Sequence, residues 1–144
     1  MLSRKCKYAI RAVLFLSVEC KDGCKLKGGR EISDSLKLPH AFTGKILQQL
    51  ARQNIISSAK GPGGGFYLSD DNRKKPLIKI IEAMGDVSVF SSCGLGLSKC
   101  SDTQPCPIHD SFKTCRDELL QLFSTKTISD LSEEIVKSNL SLVR

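Results

Sequence analysis

Histidine is scarce in this chain: His40 and His109 are the only two among 144 residues. With so few imidazoles, and no second acid/base constellation around them, catalysis is not the expectation. Long apolar runs are missing as well. No stretch approaches the roughly 18 apolar residues of a membrane-crossing helix. The apolar segment Ala9 to Val18 is interrupted by Arg11 and is followed by no secretory cleavage pattern. A soluble cytoplasmic protein with no membrane partner is expected. No internal repeat or low-complexity tract occurs, which removes repeat arrays from consideration.

Acidic residues are sparse in the front half. Residues 1–75 carry 15 Lys and Arg against 6 Asp and Glu, whereas residues 76–144 carry 7 against 9, so the formal net charge of +7 conceals halves of +9 and −2. A basic half beside a near-neutral one predicts a nucleic-acid or anionic-surface module joined to something else; an ordinary basic solvated face is the plain alternative. With 40% hydrophobic residues, one compact domain or a small domain plus an appendage can be built. The seven cysteines are many but odd in number. In a reducing compartment, clustered cysteines more often bind metal or do redox work than form structural disulfides.

Ala9, Ala12, Val13 and Leu16 recur at helical spacing and predict a first helix. After a Lys/Gly-rich loop, "REISDSLKL" places Ile32 and Leu36 four apart on a short second helix that Pro39 stops from continuing. "PHAFTGKILQQLARQ" reads as a third helix, with Phe42, Ile46, Leu47 and Leu50 on its buried side and Ala41, Gly44, Lys45, Gln48 and Arg52 on the outer side. Two β-type runs, Ile55 to Ala59 and Phe66 to Ser69, flank a Gly/Pro tip and predict a hairpin. Helix, helix, tight turn, helix, hairpin is the outline of a winged helix-turn-helix. "DDNRKKP" reads as a hinge between a DNA-binding domain, 1–75, and a second part, 76–144. That second part opens with a helix from Pro76 or Leu77 to about Met84, ended by Gly85. Further on, Ile108, Phe112, Cys115, Leu119 and Leu122 step by 4, 3, 4 and 3, a narrow heptad seam that wants a partner helix. On that seam Cys115 is expected as a small buried residue. Thr127 and Asp130 start a final helix carrying Leu131 and Ile135. The fold expected is mainly α with a small β-hairpin wing and C-terminal dimerisation helices.

A helix that lies in a DNA groove needs small residues for close approach and polar ones for base edges or phosphates. Ala41 and Gly44 are small, and Lys45, Gln48 and Arg52 are polar. Glycine inside a helix costs about 0.8–1 kcal/mol relative to alanine, so Gly44 points either to close passage of DNA or to another part of the protein packed against it. The tip "KGPGGG" lacks the Gly-Lys-Ser/Thr ending of a nucleotide-binding loop and joins strands instead of opening a helix. As a wing tip, Lys60 can reach phosphates or a minor groove while glycines such as Gly61 and Gly63 keep the backbone slim; a flexible hairpin turn is the simpler reading.

The loop 91–109 carries Cys93, six residues, Cys100, five residues, Cys106, two residues, His109. Structural zinc sites close through tighter knuckles, so these gaps suit a larger polynuclear centre. Three thiolates and one imidazole can complete the coordination of a 2Fe–2S cluster. Free thiols or a zinc site without a sensing role remain the alternatives. Cys20 and Cys24, flanked by lysines, are candidates for lowered thiol pKa values.

"RKCKYAIRAVLFL", "LPHAFTGKILQQLARQNIISSAKGPGGGFYL" and the later "C…C…CPIH" together resemble, in order and along nearly the whole chain, the IscR/NsrR-type Rrf family of bacterial winged-helix transcription regulators. The resemblance implies a homodimer that binds an inverted-repeat operator on double-stranded DNA, acting as a repressor, with the third helix in the major groove and the wing beside it. It implies a DNA surface formed by Pro39, His40, Thr43, Gly44, Lys45, Gln48, Lys60, Gly61 and Gly63. His40 is as readily a surface residue at the helix start as a contact. It also implies an iron–sulfur cluster on Cys93, Cys100, Cys106 and His109, of 2Fe–2S rather than 4Fe–4S type. The chain departs from the family pattern in two places. The gap from Cys93 to Cys100 is one residue longer than the family commonly shows, and Tyr8 stands where nitric-oxide-sensing members place an Asp ligand. Cys6, close by, is a further candidate thiolate on the first helix. The alternatives are a cluster-free or zinc-bound winged-helix regulator and an iron–sulfur redox protein.

Overall fold

In the computed structural model, which describes residues 1–143, seven helices, a 3-10 turn and one hairpin follow in order. Helix α1 (Arg4–Glu19) is capped by Ser3, whose hydroxyl accepts from the Cys6 N–H, and it buries Ala9, Ala12, Val13 and Leu16 along the expected stripe. Helix α2 (Gly29–Leu36) ends before Pro39 acts: Lys37 turns left-handed at φ 52°, and Leu38 N–H returns to the Ser33 carbonyl. Helix α3 (His40–Arg52) begins at Pro39, which sits one step earlier than the first helical position, as its N-cap.

The hairpin is shorter than the sequence suggests. Strands β1 (Ser57–Ala59) and β2 (Gly65–Tyr67) pair antiparallel with Ser58 opposite Phe66. On its other edge Phe66 exchanges two backbone hydrogen bonds with Lys27, which anchors the wing to the loop between α1 and α2. At the tip, Gly61 and Gly63 take φ of 90° and 74°, conformations that any side chain would strain.

The segment read as a hinge is structured. Helix α4 (Asp70–Arg73) has a reciprocal capping box between Ser69 and Asn72, and the buried Asn72 amide donates to the Asn54 carbonyl. Helix α5 (Ile78–Met84) follows and stops at Gly85, as expected. A 3-10 turn (Val87–Phe90), the cysteine loop, α6 (His109–Thr125) and α7 (Ile128–Ser138) complete the chain. Helix α7 starts at the Thr127–Asp130 capping box and returns to α1, where Ser17 donates to Ser132 at 2.9 Å in a buried contact.

One apolar core therefore runs from Cys6 and Leu16 through Ile32, Leu47 and Leu50 to Ile80, Ile81, Ile128 and Ile135. The boundary expected at residues 75 and 76 does not coincide with a break in packing. Sequence shows that α7 has an apolar face but not which helix covers it. Two side chains expected inside lie outside. Phe42 is 39% exposed, its ring edge-on to Tyr8 at 5.8 Å, and Cys115 is exposed on α6.

Candidate functional site

The outer side of α3 and the hairpin enclose a groove of about 570 Å³ lined by Gln48, Ala51, Arg52, Ser58, Lys60 and Phe66. Gln48 and Lys60 thus come together, with Arg52 beside them, while Lys45 is exposed on the same helix. An alanine Cβ at Gly44 would meet nothing within 4 Å among the described residues. The glycine is therefore not making room for another part of its own chain. Thr43 corrects the expectation: its side chain is 1% exposed and points into the core, with Oγ1 lacking a partner among the described residues. Three residues from Ile46 and four from Leu47, it shares their face.

Pro39 and His40 are exposed at the start of α3. His40 Nε2 meets Asp34 Oδ1 at 2.6 Å, a partner on α2 that nothing in the residue pattern singled out. Among the described residues no side chain caps α3, so its first N–H groups remain available to an external acceptor.

In the cysteine loop two of the four candidate ligands meet directly, Cys100 Sγ lying 3.4 Å from His109 Nδ1. Backbone N–H groups of Leu95 and Leu97 aim at the Cys93 sulfur and lower its thiol pKa, with Cys106 and the Gly96 N–H adding to the effect. Among the described residues, no three His, Cys, Asp or Glu side chains gather as a set for one metal ion. His109, 6% exposed at the first turn of α6, is gripped from its other side by Asp102, Nε2 to Oδ1 at 2.9 Å. Lys113 and then His109 hold the Asp102 carboxyl below its usual pKa.

Behind the loop stands Arg116, 8% exposed. Its guanidinium donates to the Ser92 carbonyl and lies 5.4 Å over the Phe112 ring, and its Nε lacks a partner among the described residues. A Cβ at Gly94 would approach that ring to 3.0 Å, so the loop start is seated tightly against α6. Asp102 and Arg116 were not foreseen. A carboxylate in a polar loop and an arginine on a charged helix look like solvated surface until the fold brings each against its partner.

Two thiols outside the loop, Cys6 and Cys24, are shifted away from the thiolate. Burial, together with the charge and hydrogen bond of Asp86, pushes Cys6 up to about 12, so it does not offer a ready thiolate. Cys24 is pushed up to about 11, first by desolvation and then by Cys20, which reverses the expectation drawn from nearby lysines.

The family model described as "Iron-dependent Transcriptional regulator", Rrf2, matches residues 2–134. The chain belongs to the Rrf2 family. An HTH-type transcriptional regulator of Aquifex aeolicus (strain VF5) is 31% identical over 127 residues, covering 87% of this chain and 86% of the relative. The HTH-type transcriptional regulator IscR of Escherichia coli O1:K1 / APEC is 25% identical over 130 residues, covering 90% and 78%. Among solved structures, CymR, the global cysteine regulator of B. subtilis, superposes with a TM-score of 0.75 at 16% identity, covering 93% of this chain and 97% of that one. At that identity the likeness establishes the fold, a winged helix with its appended helices. This Rrf2-family chain is a DNA-binding transcriptional regulator, not an enzyme. Among the described residues no helix is long and apolar enough to cross a membrane.

Proposed function

We propose that the chain is a cytoplasmic repressor that binds an inverted-repeat operator as a homodimer and carries an iron–sulfur cluster, of 2Fe–2S type, on Cys93, Cys100, Cys106 and His109. The observation that carries the cluster reading is the contact of Cys100 Sγ with His109 Nδ1 at 3.4 Å, with Cys93 and Cys106 on the same loop close enough to influence one another. Two ligands per iron is the demand of a binuclear centre. The donor set fits in chemistry too: Cys93 is biased toward thiolate by backbone N–H groups, and His109 is buried with one ring nitrogen already engaged. When bound, the cluster supplies one-electron redox and ligand-exchange chemistry.

The chain's own part is mechanical. His109 occupies the first turn of α6, so the hold that the loop keeps on this ring bears directly on the helix carrying Ile108, Leu119 and Leu122. These side chains are 39%, 37% and 49% exposed and form the seam for a second copy. Two recognition helices must match half-sites about one helical turn apart, so a small shift at the entry of α6 changes operator affinity. At the DNA, the free N-terminus of α3 with His40, then Gly44, Lys45 and Gln48, approach the major groove, and Lys60 with the Gly61–Gly63 tip reaches a neighbouring phosphate or minor groove.

Anaerobic purification with iron and sulfide analysis, repeated for His109→Ala, tests the cluster; equimolar iron and sulfide lost in the variant is the expected result. A second reading is a cluster-free or zinc-bound regulator, and the lack of a gathered three-donor set among the described residues favours its cluster-free form. Zinc or no metal in protein that still binds DNA would establish it.

A further inference from the structure

The His109 ring is engaged at both nitrogens. Nδ1 faces Cys100 Sγ at 3.4 Å and Nε2 faces Asp102 Oδ1 at 2.9 Å. A neutral imidazole carries one N–H, and an ionised carboxylate can only accept. In the neutral ring the proton then lies on Nε2, where the carboxylate accepts it, and the lone pair is left on Nδ1, the nitrogen beside the candidate ligand thiol. Asp102 is held in turn by Lys113, one turn further along α6, whose Nζ donates to the same carboxylate oxygen at 2.8 Å. The histidine side chain is 5% exposed and the aspartate side chain 73%. Carboxylates this exposed add little to folding through their ion pairs, so the consequence of the contact lies in what it does to the buried ring.

We propose that Asp102 is a positioning residue: resting on the cluster reading above, it fixes the orientation and tautomer of His109 so that Nδ1 is the coordinating atom, while Lys113 keeps the carboxylate in place. A carboxylate behind a coordinating imidazole raises ligand basicity, and its loss typically lowers metal retention about 10- to 100-fold. Nothing in the spacing of the three cysteines and the histidine singles out this residue. Its place two positions after Cys100 lets the loop fold back over the start of α6.

The experiment compares full-length wild type, Asp102→Ala, Asp102→Asn and His109→Ala, each purified anaerobically. In the cluster-free proteins, proton–nitrogen NMR reads the ring: a protected Nε2–H is expected in wild type and in Asp102→Asn, whose amide oxygen still accepts, and rapid exchange in Asp102→Ala. In the loaded proteins, a strong histidine nitrogen coupling in pulsed EPR of the reduced state is expected for wild type and Asp102→Asn, and is absent from His109→Ala. Loss of iron to a chelator should be about 10- to 100-fold easier for Asp102→Ala, with Asp102→Asn recovering most of the difference. An Asp102→Ala protein matching wild type in ring exchange and iron retention overturns the proposal. So does a wild-type ring protonated on Nδ1. Failure of wild type to hold any iron and sulfide overturns the cluster reading and leaves the ring measurement to judge the Asp102–His109 contact separately.

Discussion

Helices α1 and α6 are nearly equal in length, at 16 and 17 residues, yet they are opposites in what they hide. Helix α1 buries Cys6, Ala9, Ala12, Val13, Leu14, Leu16 and Ser17, whereas α6 buries only His109 and Arg116 and leaves Leu119 and Leu122 in solvent. A helix whose polar residues are inside and whose apolar residues are outside has not finished packing within one chain. The contrast separates two jobs. Helix α1 organises a module complete in itself, with α2, α3, α5 and α7 around it; α6 stands between the cysteine loop and whatever covers its seam.

The sharpest way to break that contrast is to cut one leucine in each region. Leu47→Ala, at a fully buried site on α3, should destabilise the fold by about 2–5 kcal/mol. Leu122→Ala should change the unfolding free energy of the single chain by no more than about 0.5 kcal/mol but weaken self-association. Urea titrations at two protein concentrations, with analytical ultracentrifugation, read both. Self-association unchanged by Leu122→Ala would mean that α6 is an ordinary surface helix.

DNA binding sharpens the contrast from the other side. Lys45→Ala with Lys60→Ala should lower operator affinity about tenfold and flatten the salt dependence by about 1.8 in log–log slope, since each phosphate contact contributes about 0.9. Fluorescence anisotropy across a salt series measures it. An unchanged slope would remove both lysines from the interface.

A smaller effect probes the core alone. The Cys6 thiol is raised from 9.0 to about 12 in the folded chain, chiefly by burial. The folded state therefore keeps a proton that the unfolded chain releases above its ordinary thiol pKa. Stability from this source is complete below about pH 9 and falls as pH rises toward 12, by at most about 1.4 kcal/mol per pH unit. Denaturation between pH 8 and 10.5 should show a steeper decline for wild type than for Cys6→Ser.

Much of the fold was legible because its signals are local. The α1 stripe, Gly85 after α5 and the Thr127–Asp130 capping box each act within a few residues, and each produced the expected element. What escaped depends on distant partners. "DDNRKKP" looked like a linker because the contact that orders it, Asn72 to the Asn54 carbonyl, spans 18 residues. The bridge from Lys27 to the outer edge of the wing was out of view for the same reason. Thr43 is the exception, since a 100° step per residue already sets it in the middle of the arc of Ile46, Leu47 and Leu50, with Phe42 at the edge of that arc. In the loop, cysteine spacing located the candidate ligands, but the contacts of His109 with Cys100 and Asp102 appear only after the chain folds back on α6.

Gly44 offers the smallest and most discriminating test. It sits inside α3 with a helical backbone and open space where a Cβ would lie, so its own chain gives no reason for it to be glycine. Alanine should then stabilise the free protein by about 0.4–1 kcal/mol through helix propensity and a less disordered unfolded state. If DNA passes close to this face, the same methyl group should cost operator affinity, giving a variant that is more stable and binds less well. Thermal unfolding and anisotropy on one protein preparation read the two signs together. A variant that gains stability and binds as tightly as before would place the DNA away from the middle of α3, and the interface would then have to be sought nearer to His40 or the wing.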